Sequence, residues 1–179
     1  LDKHHWARTY YSGDVNVGLY AAASAGNAAE VMRLLKAGAS PEAENPSHDT
    51  SNPDYAPKHA LEAAIEANSF DAVKALLDAG AVLPAGSESV HGLIQTDDPD
   101  LRIIRIIAEK KWRFDRADLG GDVPLNYAVR NGHTDIVRFL IGKGMVYSEP
   151  GKGTLSAADT IELSMKNAND RKLDRTAKE

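Results

Sequence analysis

One recurrence constrains this chain more than any other feature. Three stretches share the same order of residue types: a Leu, an Ala three residues on, a polar turn, a Val, an aliphatic pair and a Gly. They are Leu19, Ala22, Gly26-Asn27, Val31, Leu34-Leu35 and Gly38; then Leu61, Ala64, Val73, Leu76-Leu77 and Gly80; then Leu125, Ala128, Gly132-His133, Val137, Leu140-Ile141 and Gly144. A block that recurs in this way is a small supersecondary unit whose apolar face is covered only by its neighbours, so the chain is confined to a repeat architecture. Inside a block, Leu125, Ala128 and Val129 share one face of a short helix, and the small Ala128 lets the next helix approach closely. Gly132 supplies a left-handed residue to end that helix. Val137, Leu140 and Ile141 form the stripe of a second helix, closed by Gly144 as by Gly38 and Gly80 in the other blocks.

These residues resemble the ankyrin repeat, whose signature runs T-P-L-H-x-A, then a G-H turn, then V-x-x-L-L-x-x-G-A. Val123-Pro124-Leu125-Asn126 stands for T-P-L-H, and Gly132-His133 keeps the turn. The resemblance implies an all-α fold, an ankyrin-repeat solenoid of antiparallel helix pairs joined by hairpin loops. Composition agrees: 42% of residues are hydrophobic but only 6% aromatic, which calls for an aliphatic core. The expected organisation is an N-terminal extension over 1–13, rich in aromatics and covering the first repeat, followed by repeat 1 over 14–41. An inserted loop at 42–57 precedes repeat 2 at 58–83. Repeat 3, degenerate, takes 84–116, repeat 4 takes 117–149, and a capping repeat takes 150–179.

In repeat 3, Ser89-Val90-His91-Gly92 is assigned to the T-P-L-H place and Ile94 to the alanine place. Asp97-Asp98-Pro99-Asp100 turns into a second helix over 101–109, and Lys110 replaces the usual glycine. The capping repeat starts at Ser156, 33 residues after Val123, with a polar second helix near Asn169–Leu173. About ten short helices are expected in all. Leu19 and Leu61 are 42 residues apart, nine more than one period, and the excess lies in a segment with Pro46, Pro53 and Pro57. In a repeat array an insertion maps to one face, often the binding face, and the alternative is a tolerated surface insertion; in either case Asn45–Asn52 are expected to be exposed and dispensable for folding.

Several functions are disfavoured. The net charge of −5 argues against nucleic-acid binding. The chain has no cysteine, which removes disulfides, Cys-based zinc sites and thiol nucleophiles. No apolar run reaches membrane-spanning length, so no membrane insertion is expected. The absence of a secretory signal points to an intracellular location, cytoplasmic or nuclear, and the start at Leu1 instead of Met is read as a piece of a longer protein.

Catalytic patterns are poor, so no catalytic or metal-ligating residue is assigned and no cofactor is expected. Gly151-Lys152-Gly153-Thr154 lacks the Lys-Ser/Thr step and the preceding strand of a phosphate loop, and reads as a hairpin turn. Asp97, Asp98 and Asp100 read as a solvated turn that favours the following helix N-terminus. His133 reads as a turn histidine bridging the backbone of adjacent repeats. The ankyrin resemblance implies a non-enzymatic protein-interaction module or scaffold that holds a protein or peptide on its concave face. The alternative is an enzyme or small-molecule binder on the same frame. Carried over by the family's contact positions, the candidate binding residues are Tyr55, Lys58, Glu66, Asp97, Leu119, Asp122, Arg130 and Asn131. Trp112 is added as an aromatic anchor beside Phe114, which reads as buried. Acids outnumber bases at the contact positions, so the expected partner is basic.

Overall fold

A computed structural model describes residues 14–46, 57–149 and 153–176. The expected extension at 1–13 and most of the inserted loop, including Tyr55, lie outside the described residues. The chain divides into two compact bodies, Leu1–Ser89 and Val90–Glu179. The regular elements of the described residues are helices apart from one pair of two-residue strands, so the fold is all-α.

The first body holds α1 (Val15–Ser24), α2 (Ala28–Lys36), α3 (Ala60–Glu66) and α4 (Phe70–Asp78). Leu19, Ala22 and Ala23 of α1 face Leu61, Ala64 and Ile65 of α3 in a buried layer, and Val31 and Leu34 of α2 lie with Val73, Leu76 and Leu77 of α4 in the next. Asp14 caps α1 by accepting from the Asn16 N–H, and Asn27 caps α2 through the Glu30 N–H. Gly26 at φ +65° and Asn68 at φ +52° turn the chain between paired helices, and Asn is the side chain that tolerates this conformation best after glycine.

The ends of the insertion are tied together. Glu44 and His59 form an antiparallel bridge, with Asn45 N–H donating to the Lys58 carbonyl (2.8 Å) and Ala60 N–H to that of Ala43 (2.7 Å). Asn45 is therefore part of the frame, and the removable stretch begins after Pro46. Replacing residues 47–56 by an Asn-Gly link is expected to keep one cooperative thermal transition and to change stability by less than about 1 kcal/mol, because loop-closure entropy varies slowly with length. Loss of cooperativity on melting would show that the loop is needed for folding.

The second body is built from α5 (Ser89–Gln95, entered at its second residue), α6 (Leu101–Glu109), α7 (Pro124–Asn131), α8 (Thr134–Gly142) and α9 (Ala157–Thr176). Strands β1 (Ser148–Glu149) and β2 (Gly153–Thr154) pair antiparallel ahead of α9; Gly151 and Lys152 of the expected hairpin turn lie outside the described residues. Pro124 opens α7 at a position where its missing N–H costs nothing, and Gly132 (φ +72°) ends it.

Two sequence assignments change. In repeat 3 the buried pair Val90 and Leu93 matches Leu125 and Ala128, so the register lies one residue earlier than assigned. Leu93, not Ile94, takes the alanine place, and Ile94 matches Val129. The shift is absorbed between the helices: the acidic turn runs from Thr96 to Asp100, whose side chain caps α6, whereas Gly132 and His133 suffice between α7 and α8. The glycine place after α6 falls on Lys111, not Lys110, and Lys111 still takes the left-handed conformation at φ +62°. For a side chain with a Cβ this costs about 1–2 kcal/mol, which the surrounding packing must offset.

The second change concerns the end of the chain. The expected helix pair is one continuous helix, α9, of 20 residues. Asn167 donates to the Val129 carbonyl as Asn131 does to that of Ile94, so Ala168, and not Met165 as the 33-residue period has it, stands where Gly132 follows Asn131. Alanine is the strongest helix former and disfavours the left-handed turn, so nothing breaks the helix there.

Candidate protein-binding surface

In the second body the hairpin before α7 is folded around one carboxylate. Asp118 Oδ1 accepts the N–H groups of Gly120 (2.8 Å) and Asp122 (2.9 Å), while Oδ2 accepts the Tyr127 hydroxyl (2.5 Å). The Asp118 N–H donates to the Asp122 carbonyl (2.9 Å), and Gly121 takes φ +85° to close the turn. Leu119 is left at the tip with its side chain 99% exposed. Asp122 then passes the network onto the helix. Its carboxylate accepts from Asn126 Nδ2 (2.9 Å) and pairs with Arg130, whose guanidinium lies 4.9 Å from the centre of the Tyr127 ring.

The titration properties follow from these partners. The Asp118 hydrogen bond pushes the Tyr127 hydroxyl up to about 12. Asp118 is held below the usual carboxylate range by that hydroxyl and by the backbone N–H groups, and Asp122 by Arg130. Both acids stay ionised at neutral pH, and the hairpin keeps its shape there.

Beneath the hairpin, His91 is buried. Its Nε2 donates to the Arg116 carbonyl (3.2 Å), and its ring meets the edges of Trp112 (6.3 Å) and Tyr127 (6.0 Å). Trp112 also packs edge-to-face on Phe114 (5.1 Å). Phe114 is buried, as read from the sequence; Trp112 is half-buried and serves as a wall of this cluster.

The other end of α7 is about 12 Å away, one helix length. There Asn131 Nδ2 donates to the Ile94 carbonyl (3.1 Å) and His133 Nε2 to that of Thr96 (3.0 Å), the repeat-to-repeat backbone bridge read for this histidine. Burial holds the His133 pKa down, against the opposing effect of that carbonyl, so the ring is neutral at pH 7. The pattern recurs one helix on: Asn167 Nδ2 donates to the Val129 carbonyl (2.8 Å) and Arg171 Nη1 to that of Asn131 (3.2 Å). Asp97 borders an open groove with Asn131, His133, Arg171 and Lys172. Asp100, from the same acidic run, pairs with Arg102 (2.6 Å). Among the described residues no group of three or more His, Asp or Glu comes together as a metal site.

In the first body Lys58 Nζ donates to both Glu66 oxygens (2.8 Å each) along the exposed side of α3. Partial burial draws the Lys58 pKa down, but Glu66 outweighs this and leaves it raised. Tyr20 of α1 lies within the field of this pair, and burial raises its hydroxyl pKa.

The candidate residues thus fall into separate groups. Leu119, Asp122 and Arg130 share the hairpin and the start of the α7 face; Asp97 and Asn131 share the turn end; Lys58 pairs with Glu66; Trp112 sits in the aromatic cluster. Both bases among them are taken up by ion pairs with two of the acids, Lys58 with Glu66 and Arg130 with Asp122. The negative surplus therefore rests on fewer groups than the sequence count implied. Asp118, Tyr127, Tyr20 and Arg171 were missed. Asp118 had a local signal, an acid placed to cap the Gly120-Gly121 turn; the tyrosines had none, because their partners come from packing.

Successive helix pairs, each ending in a left-handed residue at Gly38, Gly80, Lys111 or Gly144, define a helical-repeat architecture among the described residues. Residues 93–141 match the family model described as ankyrin repeats (many copies). No curated protein matches the chain. Ankyrin repeats are in general modules for protein–protein interaction and typically non-enzymatic. Among the described residues no helix is long and apolar enough to cross a membrane.

Proposed function

We propose that this chain is a non-enzymatic recognition module for an intracellular protein, cytoplasmic or nuclear, and that in its second body the partner is held by the hairpin before α7 together with the exposed side of α7. The observation that carries the reading is the Asp118 hairpin. A turn fixed by three hydrogen bonds to one carboxylate presents a fully exposed Leu119, so little ordering entropy is lost when a partner covers it. A large apolar side chain on a rigid support gains from being removed from water and loses little freedom on binding. Asp122 and Arg130 flank the tip and orient a polar backbone or side chain. Glu66 and Lys58 play the same part in the first body. The partner segment is basic, matched to Asp97 and to the chain's net charge of −5, which steers cations toward it at low salt.

The test begins with a partner captured from a native lysate and identified. Leu119→Ser is expected to weaken its binding by about tenfold or more. The fold is expected to be unchanged, because the side chain touches little of its own protein. Asp97→Lys is expected to weaken binding further, with a shallower salt dependence. If Leu119→Ser binds as tightly as wild type and the partner protects no amide of residues 117–131 from hydrogen exchange, the reading is wrong.

A further inference from the structure

The second helices of the second body, together with the residues that follow each, carry a charge opposite to that of the whole chain. Residues 101–116 and 134–145 hold eight Lys and Arg against three Asp and Glu, all exposed, in a chain of net charge −5. Arg102 and Arg113 are balanced by Asp100 and Asp115. Arg105, Lys110, Lys111, Arg138 and Lys143 make no ion pair among the described residues. Two of them gather on one ring: Arg105 of α6 lies 5.8 Å and Lys143 5.5 Å from the centre of Phe139 of α8. These helices and the residues that follow them therefore present a face with a cationic surplus, on which Glu109 and Asp135 are also exposed. At its C-terminal end an open depression is lined by Ala108, Trp112, Phe114, Gly144 and Met145, with Lys143 and the Arg113-paired Asp115 on its rim.

We propose that this face is a second docking surface, for an acidic protein segment that carries one large apolar side chain. The charge sets the sign of the partner. Carboxylates spaced along an extended segment match Arg105 and Arg138 on the helices and Lys143 at the end of α8, whose backbones are already fixed. The depression sets the second requirement, since its aromatic and aliphatic walls gain only from an apolar group. A nucleic acid fits this face less well. Bound single strands need open aromatic faces for base stacking, and here Phe139 lies under two cations while Trp112 and Phe114 meet edge-to-face. A long polyanion also meets the repulsion of the chain's net negative charge, which a short segment largely escapes.

The experiment uses the full chain and a labelled synthetic peptide of Glu and Ser with one central Leu. Its companions have Lys for Glu, or Ala for Leu; an oligothymidylate strand and vesicles of anionic lipid are tested beside them. The acidic peptide is expected to bind at least about tenfold more tightly than the lysine version, and to lose severalfold on Leu→Ala. Arg105→Glu with Lys143→Glu is expected to reduce its affinity by about tenfold or more, with an unchanged circular dichroism spectrum. If that pair fails to fold, Arg105→Gln with Lys143→Gln is read instead, with a smaller loss expected in the same direction. Amide shifts on peptide addition are expected at 105–115 and 138–145. The proposal is overturned if the acidic peptide does not bind at millimolar concentration, if the folded double variant binds it unchanged, or if the oligonucleotide or the vesicles bind more tightly. None of these readouts involves Leu119, so this surface and the hairpin stand or fall separately.

Discussion

Gly132→Ala is expected to destabilise the second body by several times as much as Gly144→Ala, although both glycines are left-handed residues after a helix. At Gly144 (φ +86°) an added Cβ meets no atom within 4 Å, so the substitution costs only the backbone penalty, about 1–2 kcal/mol. At Gly132 (φ +72°) the same atom would sit 2.4 Å from the backbone nitrogen of Ala168 and 2.5 Å from its Cα. Neither is the end of a flexible side chain. To make room, α9 must shift as a body, and its hydrogen bonds from Asn167 and Arg171 to the α7 carbonyls go with it. We expect a total of about 3–5 kcal/mol, the range reached when backbone strain and overpacking coincide. Removing the Ala168 side chain is not expected to rescue it, because the overlap is with main-chain atoms. Thermal melts of the single variants and of Gly132→Ala with Ala168→Gly decide the matter. Equal losses for Gly132→Ala and Gly144→Ala would mean that α9 does not pack on this turn.

The same glycine shows what the sequence discloses and what it hides. That Gly132 ends a helix is legible, because a Gly-His pair between two apolar stripes has few other uses. That its missing side chain also admits α9 is not, since Ala168 gives no hint of its neighbour 36 positions earlier. Repeat periodicity extended to the end of the chain implied a helix pair there. The observed single helix has alanine in place of the turn glycine, a residue that favours continuation. In repeat 3 the register slipped for a related reason. With Leu93 in the alanine place and a longer acidic turn, no small residue marked the close approach, and Ile94 was an equally apolar choice.

The candidate surface was legible in position and not in chemistry. Family spacing led to Leu119, Asp122 and Arg130, and these do lie together. Counting charges along the chain missed that Arg130 closes on Asp122 and Lys58 on Glu66, pairs eight residues apart that one helix face brings into contact. Exposed pairs of this kind contribute about 0–1 kcal/mol each, so their main consequence is to neutralise the surface and hold side chains in place. The basic face of α6 and α8 escaped notice because it lies outside the family's contact positions, and because a net charge averages it away.

Leu140→Ala is expected to cost about 2–5 kcal/mol and to lower the melting midpoint of the second body accordingly. Leu140 is fully buried. It belongs to the stripe of α8, with Ile136 and Val137, also fully buried, and α8 packs against α6, α7 and α9. A helix with three partners cannot move to close a cavity beside one without opening a gap beside another. The loss should therefore fall in the upper half of that range, where the lining relaxes little. In a repeat protein each unit is stabilised by its neighbours, so the damage should spread to both sides of α8. Hydrogen exchange is expected to accelerate in α7 and α9 together with α8. Exchange that rises in α8 alone, or a midpoint that does not move, would mean that Leu140 is not the shared contact that the repeat register makes it.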